Sequence, residues 1–228
     1  MHSADEQTPP WELGAVMDTL FWDVDTQFDF MMPEGRLYVP GAEKIIEMVS
    51  DVRRLALDSG FSMMADIDWH SADDPEISQT PDFKETFPPH CMADQPGSER
   101  VGYLGKVPIS YVETSEAGVA ELHKLVEKEP FHIVIKKSTL DVFENPNTGK
   151  LVDLIRPRQV AVFGVALDFC VSCVLRGLVK YDGIAVTLLR DATKGLGAKP
   201  EEEIFAEFEK IRVQVTTLDA FRERLPCG

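Results

Sequence analysis

The stretch Gln159–Val165, QVAVFGV, is apolar almost without interruption. Successive side chains of a strand point to opposite faces, so a strand of this kind needs cover on both. Similar short runs recur at Leu20–Val24, Phe61–Ile67, His132–Lys136 (HIVIK), Ala185–Leu189 and Val213–Thr217. Longer segments with helical spacing lie between them. Ala42–Asp58 carries Ile45, Ile46, Val49, Val52 and Leu55 and stops near Gly60; Glu116–Glu127, Cys170–Lys180 and Glu201–Ile211 follow the same rule. Strands alternating with helices predict βαβ units, right-handed crossovers and a parallel sheet. The fold class expected is α/β, around a central parallel sheet.

The chain has 228 residues, enough for one large domain or two small ones, and a substantial core. Its net charge of −16 argues against nucleic-acid and anionic-membrane partners. No apolar run reaches the length of a bilayer span. The start, MHSADEQTPPWE, is acidic and has no apolar signal core, so no secretory signal is expected there. Four cysteines in a chain this long do not make a disulfide framework, which points to a reducing, cytoplasmic setting.

The stretch 68–115 does not fit a minimal α/β fold. It is rich in Pro, Asp, Glu and Ser, and loops of such length are often functional. In open parallel sheets, sites gather beyond the carboxyl ends of the strands. After the first strand comes Asp25; after the second come Asp68-Trp69-His70; after HIVIK comes Lys137; after QVAVFGV come Ala166 and then Cys170. Acid, base and nucleophile candidates thus converge on one edge of the sheet.

Each candidate has a plainer alternative. Cys170 can be a buried structural thiol, but it stands where a strand gives way to a helix, and that terminus stabilises a thiolate. With Cys173 it can also form a redox pair, although Val-Ser is an unusual spacer; a zinc site at this pair would need further Cys or His nearby. Asp25 can cap a helix, and Lys137 can be a solvated charge. Together, an ammonium lowers a thiol pKa and a carboxylate carries its proton away. Asp68 and His70 can face one ion, with His90 as a third ligand and Glu76 as a fourth, or all can be surface residues of an acidic loop. Oxygen and nitrogen ligands suit Zn²⁺, Mn²⁺ or Fe²⁺.

Val24-Asp25-Thr26-Gln27-Phe28-Asp29-Phe30, Asp68-Trp69-His70, Phe87-Pro88-Pro89-His90-Cys91, Lys137, and Gly164-Val165-Ala166-Leu167-Asp168-Phe169-Cys170-Val171 occur in this order. This set resembles the isochorismatase-like cysteine hydrolase superfamily, and within it is most similar to nicotinamidases. The resemblance runs from about Leu20 to Thr217. It implies a three-layer α/β/α sandwich, a single domain over 19–228 behind an N-terminal extension at 1–18, and a metal and substrate loop at 68–115. It implies a catalytic triad of Asp25, Lys137 and Cys170, a cis peptide between Val165 and Ala166, and an oxyanion hole from the amides of Ala166 and Cys170. Asp68, His70 and His90 would bind one divalent ion, zinc first, with Glu76 where many nicotinamidases have a further histidine. In nicotinamidases the ion holds the pyridine nitrogen. Phe30 and Phe87 would line the ring pocket, Phe87 standing where the family usually has tryptophan. Lys136 adjoins Lys137, and only one of two strand neighbours can face the site; the family pattern favours Lys137.

The activity implied is amide hydrolysis through a thioester, nicotinamide giving nicotinate and ammonia, by a cytoplasmic homo-oligomer acting on a small molecule. Two alternatives remain at this level. One is another hydrolase of the superfamily, acting on a ureido or carbamoyl amide, maleamate or isochorismate. The other is a thiol–disulfide oxidoreductase using Cys170 and Cys173.

Overall fold

The structure, a computed structural model, describes residues 17–225. The extension expected at 1–18 therefore lies outside the described residues up to position 16. Met17, at its end, is already buried in the core.

The strands are β1 (Thr19–Val24), β2 (Ser62–Asp68), β3 (Ile109–Val112), β4 (His132–Lys137), β5 (Gln159–Val165), β6 (Ala185–Lys194) and β7 (Gln214–Thr216). They form one sheet in the order β3-β4-β2-β1-β5-β6-β7, and every pairing is parallel. The helices are α1 (Phe28–Met31), α2 (Ile46–Arg53), α3 (Val119–Val126), α4 (Thr148–Ile155), α5 (Cys170–Leu178), α6 (Glu201–Lys210) and α7 (Leu218–Arg222).

Strand alternation divides the core in two. From β1, Leu20, Trp22 and Val24 join Leu122 of α3, Leu151 of α4, Val174 of α5 and Phe208 of α6 on one face. Phe21 joins Met31 of α1, Val49 and Val52 of α2 and Phe221 of α7 on the other. The result is the α/β/α sandwich that the resemblance implies, with the apolar strands covered on both faces.

Three differences from the sequence reading have local causes. The stretch 68–115 is not all loop: β3 pairs with β4 as an edge strand, and its sequence, ISYV, is too short and too exposed to signal a strand alone. The helix α4 gives little signal because its segment is framed by Pro146 and Pro157, which read as loop punctuation. Ala42–Asp58 is one helical segment in three windings: 3₁₀ over Ala42–Ile45, α over Ile46–Arg53 and π over Arg54–Asp58.

The strand order puts β1 between β2 and β5, where the chain first builds outward to β3 and then returns to build the other side. Parallel sheets open a crevice at that reversal. One close approach helps shape it. Gly164, on β5, has φ +121°, and a Cβ there would lie 2.1 Å from the Val24 carbonyl oxygen of β1.

Asp23 sits fully buried on β1, where apolar residues dominate. It accepts from Arg53 Nε at 2.8 Å and Thr26 Oγ1 at 2.9 Å, and it pairs with Arg100. Arg100 Nη1 donates to His132 Nε2 at 2.9 Å. Burial opposes the Asp23 charge, but Arg53 and Arg100 outweigh it and hold this carboxyl below its ordinary range. His132 goes the other way: burial and the neighbouring Arg100 push it down to about 3.

Candidate active site

Asp25, Asp68, Lys137 and Cys170 meet at the carboxyl ends of β1, β2, β4 and β5. Asp25 turns off its strand in the left-handed region, φ 47°, a conformation in which Asp is enriched among non-glycine residues. Its Oδ2 lies 2.9 Å from Lys137 Nζ, yet among the described residues neither oxygen receives a directed hydrogen bond. Lys137 also pairs with Asp68 and lies 3.7 Å from Cys170 Sγ. All four side chains are buried. Lys136 points the other way, over the Trp69 ring at 4.5 Å and onto Glu113 at 2.8 Å.

Burial dominates the protonation of this cluster. It pushes Asp25 well above the ordinary carboxylate range, only partly offset by Lys137. Burial acts likewise on Asp68, but Lys137 and the two histidines outweigh it and hold Asp68 well below that range. Burial works against the Lys137 charge, but Asp25, Asp68 and Cys170 overcome it and keep the ammonium protonated. Burial raises the Cys170 thiol well above its usual value; Lys137 opposes the rise and Asp25 adds to it. The site therefore rests with a neutral thiol beside a carboxyl of raised basicity, a pair suited to proton exchange.

Cys170 opens α5. The Val165–Ala166 peptide before it is cis. The connecting turn is tied down: Leu167 N donates to Lys194 O at 2.9 Å, and Asp168 accepts from Leu196 N at 2.8 Å and Ala198 N at 3.0 Å. Among the described residues, no backbone hydrogen bond engages the amides of Ala166 and Cys170.

Asp68, His70 and His90 offer ligand atoms within 4.8 Å of one another, all buried. His70 Nδ1 is 3.2 Å from Asp74 Oδ2, and His90 Nδ1 is 2.7 Å from Pro88 O. Both rings thus turn Nε2 toward Asp68, at 3.6 Å and 3.3 Å. His70 Nε2 is buried with no hydrogen-bond partner among the described residues. A buried orphan nitrogen beside a carboxylate and a second imidazole is the donor set of a divalent-ion site, and these residues could hold one. Glu76 is not brought into that group. Its Oε1 accepts from Leu140 N at 2.8 Å, and its backbone carbonyl accepts from Phe87 N at 2.7 Å.

Beside Cys170 lies an apolar cavity. Phe30 and Phe87 line it, with Leu37, Leu140, Phe169 and Leu196, while His90 and Asp68 form its polar side. The Phe30 and Phe87 rings stand 5.3 and 6.1 Å from the His90 ring. Cys173 opens onto a different cavity, with Ser172 and Arg176, and burial raises its thiol to about 11. The two thiols of the Cys-x-x-Cys spacing are both free.

Two residues that hold this geometry, Gln27 and Asp29, stand in the Val24–Phe30 motif but receive no role from the sequence. Gln27 Nε2 donates to Asp68 O at 2.7 Å and Ser98 O at 3.0 Å, while Asp68 N donates to Gln27 Oε1 at 2.8 Å. The buried amide clamps the Asp68 backbone from both sides. Asp29 accepts from Cys91 N at 2.7 Å, tying α1, which carries Phe30, to the loop that carries His90. Both lie in the segment that begins at Asp25. Their signals in the sequence are their place in the Val24–Phe30 motif and their polarity directly after a buried strand, where a polar side chain needs a partner.

Comparison with known proteins agrees with this architecture. Residues 23–220 match the isochorismatase domain. The chain is 26% identical over 201 residues to a nicotinamidase/pyrazinamidase of Mycobacterium tuberculosis, covering 84% of this chain and 95% of that one. It is 24% identical over 202 residues to a nicotinamidase of Saccharomyces cerevisiae, covering 78% of this chain and 88% of the other. The crystal structure of a pyrazinamidase of Pyrococcus horikoshii in complex with zinc superposes with a TM-score of 0.67 at 26% identity, over 88% of this chain and 99% of that one. With residues 23–220 of the 228 matched to that domain, on the sheet and the strand-end cluster described above, the chain belongs to the isochorismatase family and is a hydrolase.

Proposed function

We propose that the protein is a nicotinamidase-like amidohydrolase with Cys170 as nucleophile. One observation carries this reading: Lys137 Nζ lies 2.9 Å from Asp25 and 3.7 Å from Cys170, and Cys170 itself lines an apolar cavity whose polar side is Asp68 and His90. The chemistry of that lining matches a planar ring carboxamide, with its carbonyl over Cys170 and its ring against Phe30 and Phe87. Asp25 accepts the thiol proton, and Lys137 stabilises the thiolate as it attacks. The amides of Ala166 and Cys170 receive the oxyanion, an interaction whose loss costs about 3–4 kcal/mol in comparable sites. Asp25 hands the proton to the leaving ammonia, then takes one from the water that releases the acid from the thioester. An ion held by Asp68, His70 and His90, zinc in this reading, would supply a Lewis acid for the ring nitrogen. Glu76 acts in this reading as a support of the Leu140 wall. The family resemblance extends the reading to a cytoplasmic homo-oligomer.

The cavity wall also bears on the choice among superfamily hydrolases. Among the described residues, its lining includes no arginine or lysine that could pair with a substrate carboxylate. This favours an uncharged ring amide over maleamate, isochorismate or a carboxylated ureido compound. The separate cavities of Cys170 and Cys173 speak against a redox pair.

The test is an ammonia-release assay with nicotinamide, pyrazinamide and several linear amides and ureas. Ring amides should turn over, Cys170→Ala should abolish release while the fold persists, and Cys173→Ala should keep activity. Full activity of Cys170→Ala would sink the scheme.

A further inference from the structure

The two imidazoles of the candidate metal group are braced differently. His90 Nδ1 meets a backbone carbonyl, Pro88 O, only two residues away. His70 Nδ1 instead meets a side chain, Asp74 Oδ2, at 3.2 Å. Asp74 is itself fixed on its turn, accepting from Ser71 N at 2.9 Å and Ser71 Oγ at 2.8 Å. A carboxylate can only accept at Nδ1, so a neutral His70 ring braced in this way carries its hydrogen there and turns the Nε2 lone pair toward Asp68 Oδ2, 3.6 Å away. That Nε2 is the buried atom without a partner among the described residues. Nothing else among the described residues sets the rotation of this ring by a hydrogen bond at Nδ1.

We propose that Asp74 is a positioning residue for the metal group: its carboxylate selects the tautomer and orientation of His70 that offer Nε2 to an ion shared with Asp68 and His90. The proposal rests on the reading of these three residues as metal ligands, and it adds a residue from outside that set. Partners of this kind raise ligand basicity and hold the ring in place, and their removal typically weakens metal binding by about 10–100-fold. The sequence spacing gives no hint of the role, because Asp74 sits among Asp73 and Glu76 in an acidic loop.

Two measurements on the full chain decide it. Zinc affinity is read by competition with a chromogenic chelator for the wild type, Asp74→Ala, Asp74→Asn and Ser71→Ala, with melting curves confirming that each is folded. Asp74→Ala should bind about 10–100-fold more weakly. Asp74→Asn keeps an acceptor oxygen and should recover part of that loss, and Ser71→Ala should stay within about threefold, because it removes the Ser71 Oγ bond to Asp74 and keeps the Ser71 N bond. In parallel, nitrogen-15 NMR of the metal-free protein should show His70 protonated at Nδ1 in the wild type and shifted toward the Nε2-protonated form in Asp74→Ala. Equal zinc affinity and an unchanged His70 tautomer in Asp74→Ala would overturn the proposal. If the wild type binds no zinc, the metal reading falls, and the tautomer measurement alone still decides whether Asp74 sets the ring.

Discussion

The Lys137 ammonium is held 2.9 Å from Asp25 Oδ2, with both side chains only 1% exposed. It also pairs with Asp68, so one cation answers two buried carboxylates. Removing one member of a buried charge set leaves the others uncompensated, at a cost of about 3–5 kcal/mol. Lys137→Met should therefore lower unfolding free energy by about that amount and reduce ammonia release by at least ~100-fold. Lys136→Met, one residue away on the opposite face, should cost no more than about 1 kcal/mol and leave turnover within about twofold. Urea titration and the ammonia assay on both variants check the contrast.

Gln27 should matter through Asp68 rather than through substrate. Gln27→Ala strips partners from buried backbone groups, and each group left unsatisfied costs about 1–3 kcal/mol. Gln27→Glu sets a carboxylate against the carbonyls of Asp68 and Ser98 and should be at least as damaging. Both should also lower zinc affinity, measured by chelator competition, because the Asp68 carboxylate loses its fixed backbone.

Gly164 and Gly183 both have positive φ, but only one is crowded. A Cβ at Gly164 meets the Val24 carbonyl oxygen at 2.1 Å, whereas one at Gly183 meets nothing within 4 Å. Gly183→Ala should cost about 1–2 kcal/mol from its backbone conformation alone. Gly164→Ala should cost more than that, because β1 and β5 must part, and it should impair activity as well. Denaturant midpoints of the two variants give the comparison.

His132 should make the protein sensitive to mild acid. Its folded pKa is about 3, against an unfolded value near the usual ~6.5. Above about 6.5 both states are neutral and stability is full; below it the unfolded chain takes a proton that the folded chain refuses. Stability is lost as pH falls from about 6.5 toward 3, by on the order of 1 kcal/mol per unit. His132→Gln keeps an acceptor for Arg100 and should flatten the difference in stability between pH 6 and pH 4. A slope unchanged from the wild type would remove His132 as the cause.

The sheet was legible because its strands declare themselves. QVAVFGV needs cover on both faces, and the helical stripes of Ala42–Asp58 and Glu201–Ile211 supply it. The edge strand Ile109–Val112 was not legible, because a short strand with one exposed border carries little apolar signal. The candidate residues Asp25, Asp68, Lys137 and Cys170 were legible from their places after strands, since a parallel sheet brings its carboxyl ends together.

The sequence by itself determined the strand and helix alternation, the chemistry gathered at one sheet edge, and the family resemblance. The tertiary structure decided which neighbour of a pair turns inward: Lys137 rather than Lys136, and Cys170 rather than Cys173 at the apolar cavity. It also decided the supports, placing Gln27 on Asp68, Asp74 on His70 and Asp168 on the loop of Leu196. These contacts join residues by one or two hydrogen bonds whose geometry depends on how loops lie over the sheet. Hydrophobic period encodes burial, but it does not encode where a buried polar group finds its partner.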